Sequence, residues 1–247
     1  MRHSPDKTDK SDSELLADLT RVGYLPEVYL APKELRELRT LVRYRALSMK
    51  EVRATKVRVK ALLRNNRIKL PKKLSLWTKA GLSWLESIIA LGDHSSWVLE
   101  RYLAEIERKK EEVASATLRI KNYVSKDTLC QKLLSHRGIG VITAAVMRAE
   151  IGNFSRFKNG KQLARFCGFS PCNRSSGKNV ATAGLIRAGN PLLKSCINQG
   201  IWALIRYDKH WNAFAERLIK QGKHKCVAAG AVANRWLRRL FHEVKVY

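Results

Sequence analysis

Between Lys33 and about Arg67, apolar residues return every three or four positions: Leu35, Leu38, Leu41, Val42, Met49, Val52, Val59 and Leu62. That spacing predicts one long helix with a narrow apolar stripe. Arg36, Arg39, Arg43, Arg45, Lys50, Arg53, Lys56, Arg58, Lys60 and Arg64 fill much of the remaining surface, and Pro71 ends the arm. A second long helix is predicted from Ser95 to Tyr123, where Val113, Ala116, Ile120 and Tyr123 step by three, four and three. Glu105, Glu107, Glu111 and Glu112 alternate there with Arg108, Lys109 and Lys110, the mixture of a solvated face. A bundle core would use the same periodicity. Narrow stripes under a broad cationic surface favour an elongated helical hairpin or coiled-coil arm.

The flanks are shorter in period. Ser11 and Glu14 have capping-box spacing, with Ser11 as the cap, ahead of a face made by Leu15, Leu16 and Leu19. Pro26 and Pro32 bracket an extended piece. Residues 133–152, LLSHRGIGVITAAVMRAEIG, read as helix, tight turn and helix. The turn resembles a helix-hairpin-helix element, in which Gly138 and Gly140 would present backbone N–H groups to a phosphate; such turns also join ordinary helices. Further helices are expected at 158–166, 190–207, 209–221 and 223–243, with Asn190-Pro191 as a cap and first-turn proline. Trp202 is expected in the core, and Asp208 and His210 at an exposed helix junction. Arg235, Arg238 and Arg239 should face outward from an amphipathic last helix. The fold class is therefore mainly α, in three sections: 1–30, an arm over 31–127, and a compact helical part over 128–247.

Charge narrows the partners. Against 21 Asp+Glu stand 48 Lys+Arg, a net charge of +27, and such an excess suits a phosphate-rich partner. An anionic membrane surface is the rival. No apolar run approaches the ~20 residues that span a bilayer, and the first residues, MRHSPDKTDKSDSE, hold no apolar signal core. The expectation is a cytoplasmic protein without a membrane partner. The five cysteines read as reduced thiols. Cys167 and Cys172 are the closest pair, and no His or further Cys stands beside them at zinc-ligand spacing.

Candidate chemistry concentrates between Lys161 and Lys194. A half-apolar segment stops at Cys167-Gly168, and a polar loop follows with Ser175 and Ser176 beside Gly177, flanked by Arg174 and Lys178. Paired hydroxyls among cations suit contact with a polyanion; on the local pattern alone, Ser-Ser-Gly reads first as a flexible turn.

Blocks in order along the chain carry a wider likeness. Residues 7–45, the stretch from Leu133 to Pro171, and then NRSSG, AGLIRAGNPLLK and WALIR resemble transposases of the insertion-sequence 110/116/902 family. The resemblance implies a RuvC-like nuclease domain with four metal-binding acids, a helical coiled-coil arm, and a C-terminal transposase domain with an active-site serine. Its third and fourth acids fall in a T-D-x-x-D block, here Thr8-Asp9-Lys10-Ser11-Asp12. Asp9 and Asp12 are thereby candidate Mg²⁺ ligands, the i, i+3 spacing placing both on one helix face; as residues of a helix start they would equally serve its dipole. The first two acids and their strands belong upstream of that block. The resemblance thus reads residues 1–30 as the remnant of an α/β nuclease domain in an N-terminally truncated member.

The same likeness places the nucleophile in Pro171–Gly177, with Ser176 first and Ser175 second. Arg174, Lys178 and Arg187 would then stabilise phosphate charge. The implied function is DNA cleavage and rejoining through a serine nucleophile and metal-bound acids. The implied partners are DNA, a structured guide RNA, and further copies of the chain through the arm. A catalytically inactive nucleic-acid-binding remnant is the alternative. A structural RNA-binding protein of ribosomal type is a third reading, resting on charge and helicity.

Overall fold

The computed structural model describes residues 8–25, 29–72, 74–88, 90–176, 179–186 and 188–245; within 173–183 the description extends to the backbone alone. The chain divides into two compact units, Met1–Pro32 and Lys33–Tyr247. Its elements are overwhelmingly helical, as the periodicity predicts.

The first unit holds α1, Asp9–Arg21, none of whose side chains is buried. Its capping box starts three residues before the expected position. Thr8 is the cap, its Oγ1 accepting the Ser11 N–H at 3.3 Å while Ser11 Oγ accepts from the Thr8 N–H at 3.4 Å. The Ser11/Glu14 pairing is therefore corrected: an earlier hydroxyl already serves the free amides, and Ser11 lies inside the first turn.

The second unit opens with α2, Lys33–Asn65, which packs along α4, Asp93–Val124. The two run antiparallel, since partners on α4 descend as α2 ascends. Arg45 donates to Thr117, Lys109 pairs with Glu51 at 2.8 Å, and Ser95 donates to Asn66. Two apolar clusters hold the pair. One, at the far end, joins Val52, Val59 and Leu63 to Leu99 and Ile106 through Leu76, Leu85 and Leu91 of the connection. That connection contains a short helix that the periodicity does not predict, α3, Lys79–Glu86, capped by Thr78. Between the clusters lies a polar stretch: Ser48 is buried and donates to Glu112, which also receives Tyr44, Arg108 and Lys109.

The second cluster takes Leu38, Val42, Ile120 and Val124 from the near ends of α2 and α4 into the core of the remaining helices. These are α5, Thr128–Leu134; α6, Val141–Ile151; α7, Gly160–Phe166; α8, Pro191–Tyr207; α9, Lys209–Lys220; and α10, Lys225–Lys245. Asn190 caps α8 through Leu192 and Leu193 with Pro191 in its first turn, and Asp208 caps α9. Trp202 departs from expectation: it is 40% exposed, because the buried stripe of α8 runs through Leu193, Ile197, Ile201 and Leu204.

Gly138 and Gly200 let the α5–α6 turn lie against α8. Gly138 has φ +89°, and a Cβ there would stand 2.8 Å from the Gly200 carbonyl oxygen; a Cβ on Gly200 would collide with the Gly138 carbonyl oxygen. Backbone faces backbone, so neither side can yield. Gly200→Ala is expected to lower stability by about 2–3 kcal/mol, read as a reduced urea midpoint with an unchanged slope. An unchanged midpoint would mean that the two segments part easily.

Candidate functional site

Residues 171–176 and 179–185 pair as two β-strands where the sequence suggests a polar loop. Strand β1, Pro171–Ser176, pairs antiparallel with β2, Asn179–Leu185. The register matches Pro171 with Leu185, Asn173 with Thr182, Arg174 with Ala181, Ser175 with Val180 and Ser176 with Asn179. It slips by one residue near the root, and Gly184, at φ +72°, supplies the backbone freedom for that bulge. Ser175 and Ser176 thus occupy the last two rungs of the ladder, at the end away from the root.

The root is tied into the core. The Ile186 N–H donates to the Ser170 carbonyl at 2.9 Å, and Asn234 Nδ2 of α10 donates to the Phe169 carbonyl at 2.7 Å. Lys194 Nζ reaches the Ile186 carbonyl at 3.4 Å. Gly189, at φ +117°, lies so close to Phe166 and Gly168 that a side chain would crowd both backbones. Of the three expected phosphate-stabilising cations, Arg174 belongs to β1, whereas Lys178 and Arg187 lie outside the described residues.

The Gly138–Gly140 turn divides its roles. Gly138 is occupied by the approach to Gly200. Gly140 caps α6 without any side-chain acceptor, and a Cβ there would meet nothing within 4 Å. The start of α6 therefore has no side-chain cap, and an uncapped helix start is a place that favours an anion. Asp9 and Asp12 sit exposed in the first turn of α1. Two carboxylates supply two ligands of an octahedral Mg²⁺ shell. Among the described residues no group of three His, Cys, Asp or Glu side chains gathers to complete a metal site. The pair by itself fits part of a metal centre and not a whole one.

Partly buried ion pairs that the sequence did not signal tie α2 and the α4–α5 connection to α6. Glu150 on α6, buried, accepts from Arg43 Nε at 2.8 Å and Nη2 at 2.9 Å, and pairs with Arg39 at 3.4 Å. Asp127 caps α5 through the Cys130 N–H at 2.7 Å and accepts from Arg148 Nε at 2.8 Å. Desolvation pushes the Asp127 carboxyl up, but the Arg148 and Cys130 hydrogen bonds prevail and hold it below the usual value. Nearby, burial and then the Asp127 charge push the Tyr123 hydroxyl up to about 12.

The Asp127 shift has a pH consequence. A depressed folded pKa stabilises the fold above the unfolded value of about 3.9, and that contribution is lost as pH falls through the folded value. Asp127→Asn keeps the cap and removes the charge. It is expected to cost about 2 kcal/mol at pH 7, and the gap from wild type should close as pH drops below about 4. Urea unfolding at pH 7 and pH 3 measures both; a gap of equal size at the two values would deny the charge its role.

These features define a strongly basic helical protein whose core projects a hairpin carrying two adjacent serines. Comparison with known proteins agrees in order and position. The model described as Transposase IS116/IS110/IS902 family matches residues 130–216, enclosing the hairpin, and a second transposase model matches residues 1–67. The chain belongs to the IS116/IS110/IS902 transposase family. It is 28% identical over 197 residues to a putative transposase of Sinorhizobium fredii, covering 79% of this chain and 47% of that protein. It is 22% identical over 205 residues to the transposase for insertion sequence element IS1111A of Coxiella burnetii, covering 83% and 56%. A probable family 20 transposase of Pseudomonas aeruginosa is 25% identical over 249 residues, covering 96% and 71%. The chain thus spans about half the length of the first two relatives. No described helix is long and apolar enough to cross a membrane.

Proposed function

We propose that the chain acts on DNA in the strand cleavage and rejoining of an insertion sequence, with Ser176 as nucleophile and Ser175 as its neighbour. The observation that carries this reading is the position of both serines on the last rungs of a rooted hairpin inside the transposase-family match. In the reaction, Ser176 Oγ forms a bond to a backbone phosphorus and the phosphorus–oxygen bond to one deoxyribose breaks. The serine proton passes to a base and the departing sugar oxygen takes up a proton. Rejoining reverses the exchange with a different sugar hydroxyl. A serine hydroxyl needs help to lose its proton near neutral pH. Arg174, Lys178 and Arg187 are read as cations that offset charge on the phosphate.

Residues 1–30 are read as part of a RuvC-like nuclease domain, 31–127 as a coiled-coil arm through which copies associate, and 128–247 as the transposase domain with a helix-hairpin-helix-like turn at Gly138 and Gly140. Mg²⁺ enters this reading where further acids join Asp9 and Asp12, and it would there polarise the phosphate and favour the deprotonated hydroxyl. A structured guide RNA is read as a further partner on the family resemblance, and a cytoplasmic location on the hydropathy pattern of the sequence. The second reading, an inactive nucleic-acid-binding remnant, is favoured by the incomplete acidic set among the described residues. Trapping decides between them: element-end DNA is incubated with the chain and Mg²⁺, then denatured and digested. A peptide containing Ser176 linked to a nucleotide supports strand transfer. DNA binding without any linked peptide supports the remnant.

A further inference from the structure

A groove of about 1030 Å³ runs between α10, Phe214 of α9 and the root of the hairpin. Its hairpin wall is Pro171 and the exposed Leu185, backed by the buried Phe169. Its floor is α10 at Val227, Gly230 and Ala231, where the small residues keep it open; Leu185 already lies across Gly230, 3.5 Å from where a Cβ would stand. The rim is cationic. Arg235, Arg238, Arg239 and His242 line it on successive turns of α10, with Lys223 at the other end, and no described Asp or Glu lines it. Arg239 is partly occupied, donating to Glu243 at 2.6 Å. Arg235 and Arg238 are exposed, and neither forms an ion pair among the described residues. Two guanidinium groups lie over the Phe214 ring, Arg217 at 5.2 Å and Arg235 at 5.1 Å from its centroid.

We propose that this groove seats an unpaired stretch of nucleic acid, with bases over the apolar floor and aromatic wall and phosphates along the Arg235–Arg238 rim. The chemistry distinguishes this occupant from a duplex. A duplex presents phosphates and sugars to a groove wall and keeps its base faces stacked, so it has no use for the exposed Leu185 and Val227 and half-buried Phe214 surface. An unpaired strand exposes those faces to aromatic and guanidinium planes. Polar contact with a protein acid would engage the rim and leave the floor empty. Position adds a further argument: Pro171, Gly184 and Leu185 belong at once to the groove and to the hairpin. A strand lying here is therefore held beside the element that carries Ser175 and Ser176. The proposal deepens the strand-transfer reading and rests on it for the identity of the polyanion.

Cys226 is exposed and lines the groove, which makes it a reporter. The full chain is alkylated with N-ethylmaleimide, and the rate at Cys226 is read by mass spectrometry alone, with a saturating 15-nucleotide oligothymidylate, with a 15-base-pair duplex, and with polyglutamate. The single strand should slow Cys226 at least fivefold; duplex and polyglutamate should change it less than twofold. Failure of the single strand to bind, binding without protection, or equal protection by duplex or polyglutamate would each overturn the proposal. Two variants read the floor and rim separately. Ala231→Leu fills the floor without changing charge and should weaken single-strand binding at least tenfold while leaving duplex binding within twofold. Arg238→Gln should lower the single-strand salt slope by about 0.7. Equal loss of both ligands in Ala231→Leu, in a variant with wild-type melting, would count against a base-binding floor; a melting shift leaves the wild-type footprint as the deciding measurement. The footprint reads occupancy and not cleavage. Protected Cys226 without any serine adduct would overturn strand transfer and keep the groove. Adducts with unprotected Cys226 would overturn the groove alone.

Discussion

Ser176→Ala should abolish the DNA-linked peptide and all strand transfer in any preparation of the chain that shows them, while leaving DNA affinity within about twofold. In the proposed pathway alanine removes the oxygen that forms the covalent bond, so no weaker version of that pathway survives. Loss of a nucleophile that works with its activating groups as a unit costs on the order of 10⁶ in rate. Ser175→Ala should be milder. The two serine positions stand on different rungs, paired with Val180 and Asn179 respectively, so one takes the other's place only through a register slip. The assay is denaturing electrophoresis of end-labelled element DNA, with binding measured on the same samples. Activity that survives Ser176→Ala and disappears with Ser175→Ala would exchange the two roles. Activity surviving the double substitution would remove serine chemistry from this protein.

How much of the fold is legible in the chain follows the length of each repeat. The long helices α2 and α4 and the later α8, α9 and α10 are legible because many turns of apolar residues return in phase. The helix α3 is eight residues long, too short for the period to stand out from a connection rich in lysine, and only Thr78 hints at its start. The hairpin is hidden for a different reason. Its first strand, PCNRSS, has no apolar alternation to mark it, and the backbone pairing and the bulge at Gly184 leave no period in the sequence. Interior glycine is the sequence signal for the Gly138 contact. Gly200 sits within an otherwise regular α8, where glycine is unfavourable unless another backbone approaches. The Arg43–Glu150 and Arg148–Asp127 pairs join elements distant in sequence, and charge pattern alone could not match such partners.

Affinity for nucleic acid should fall by about 10³ to 10⁵ between 50 and 200 mM salt if 6–10 phosphates are engaged. The net charge of +27 motivates this, and α2 carries a set of cations free to contribute to it. Lys50, Arg53, Lys60 and Arg64 are all exposed on α2, and none has an ion-pair partner among the described residues, in contrast to Arg39, Arg43 and Arg58. Their spacing, three, seven and four residues, keeps them on one side of the helix. A stripe of cations on one face can follow a backbone of phosphates; the same number scattered round a helix could not. Changing Arg53, Lys60 and Arg64 together to serine should therefore lower the duplex salt slope by about 2 to 3, at roughly 0.9 for each phosphate no longer neutralised. The fold should be little affected, since exposed unpaired side chains contribute little to stability. Fluorescence anisotropy across a salt series gives the slope directly. An unchanged slope in a normally folded triple variant would take the arm out of the interface and move the phosphate-binding surface to the helical core. A wild-type affinity that ignores salt would sink the polyanion reading of the whole chain.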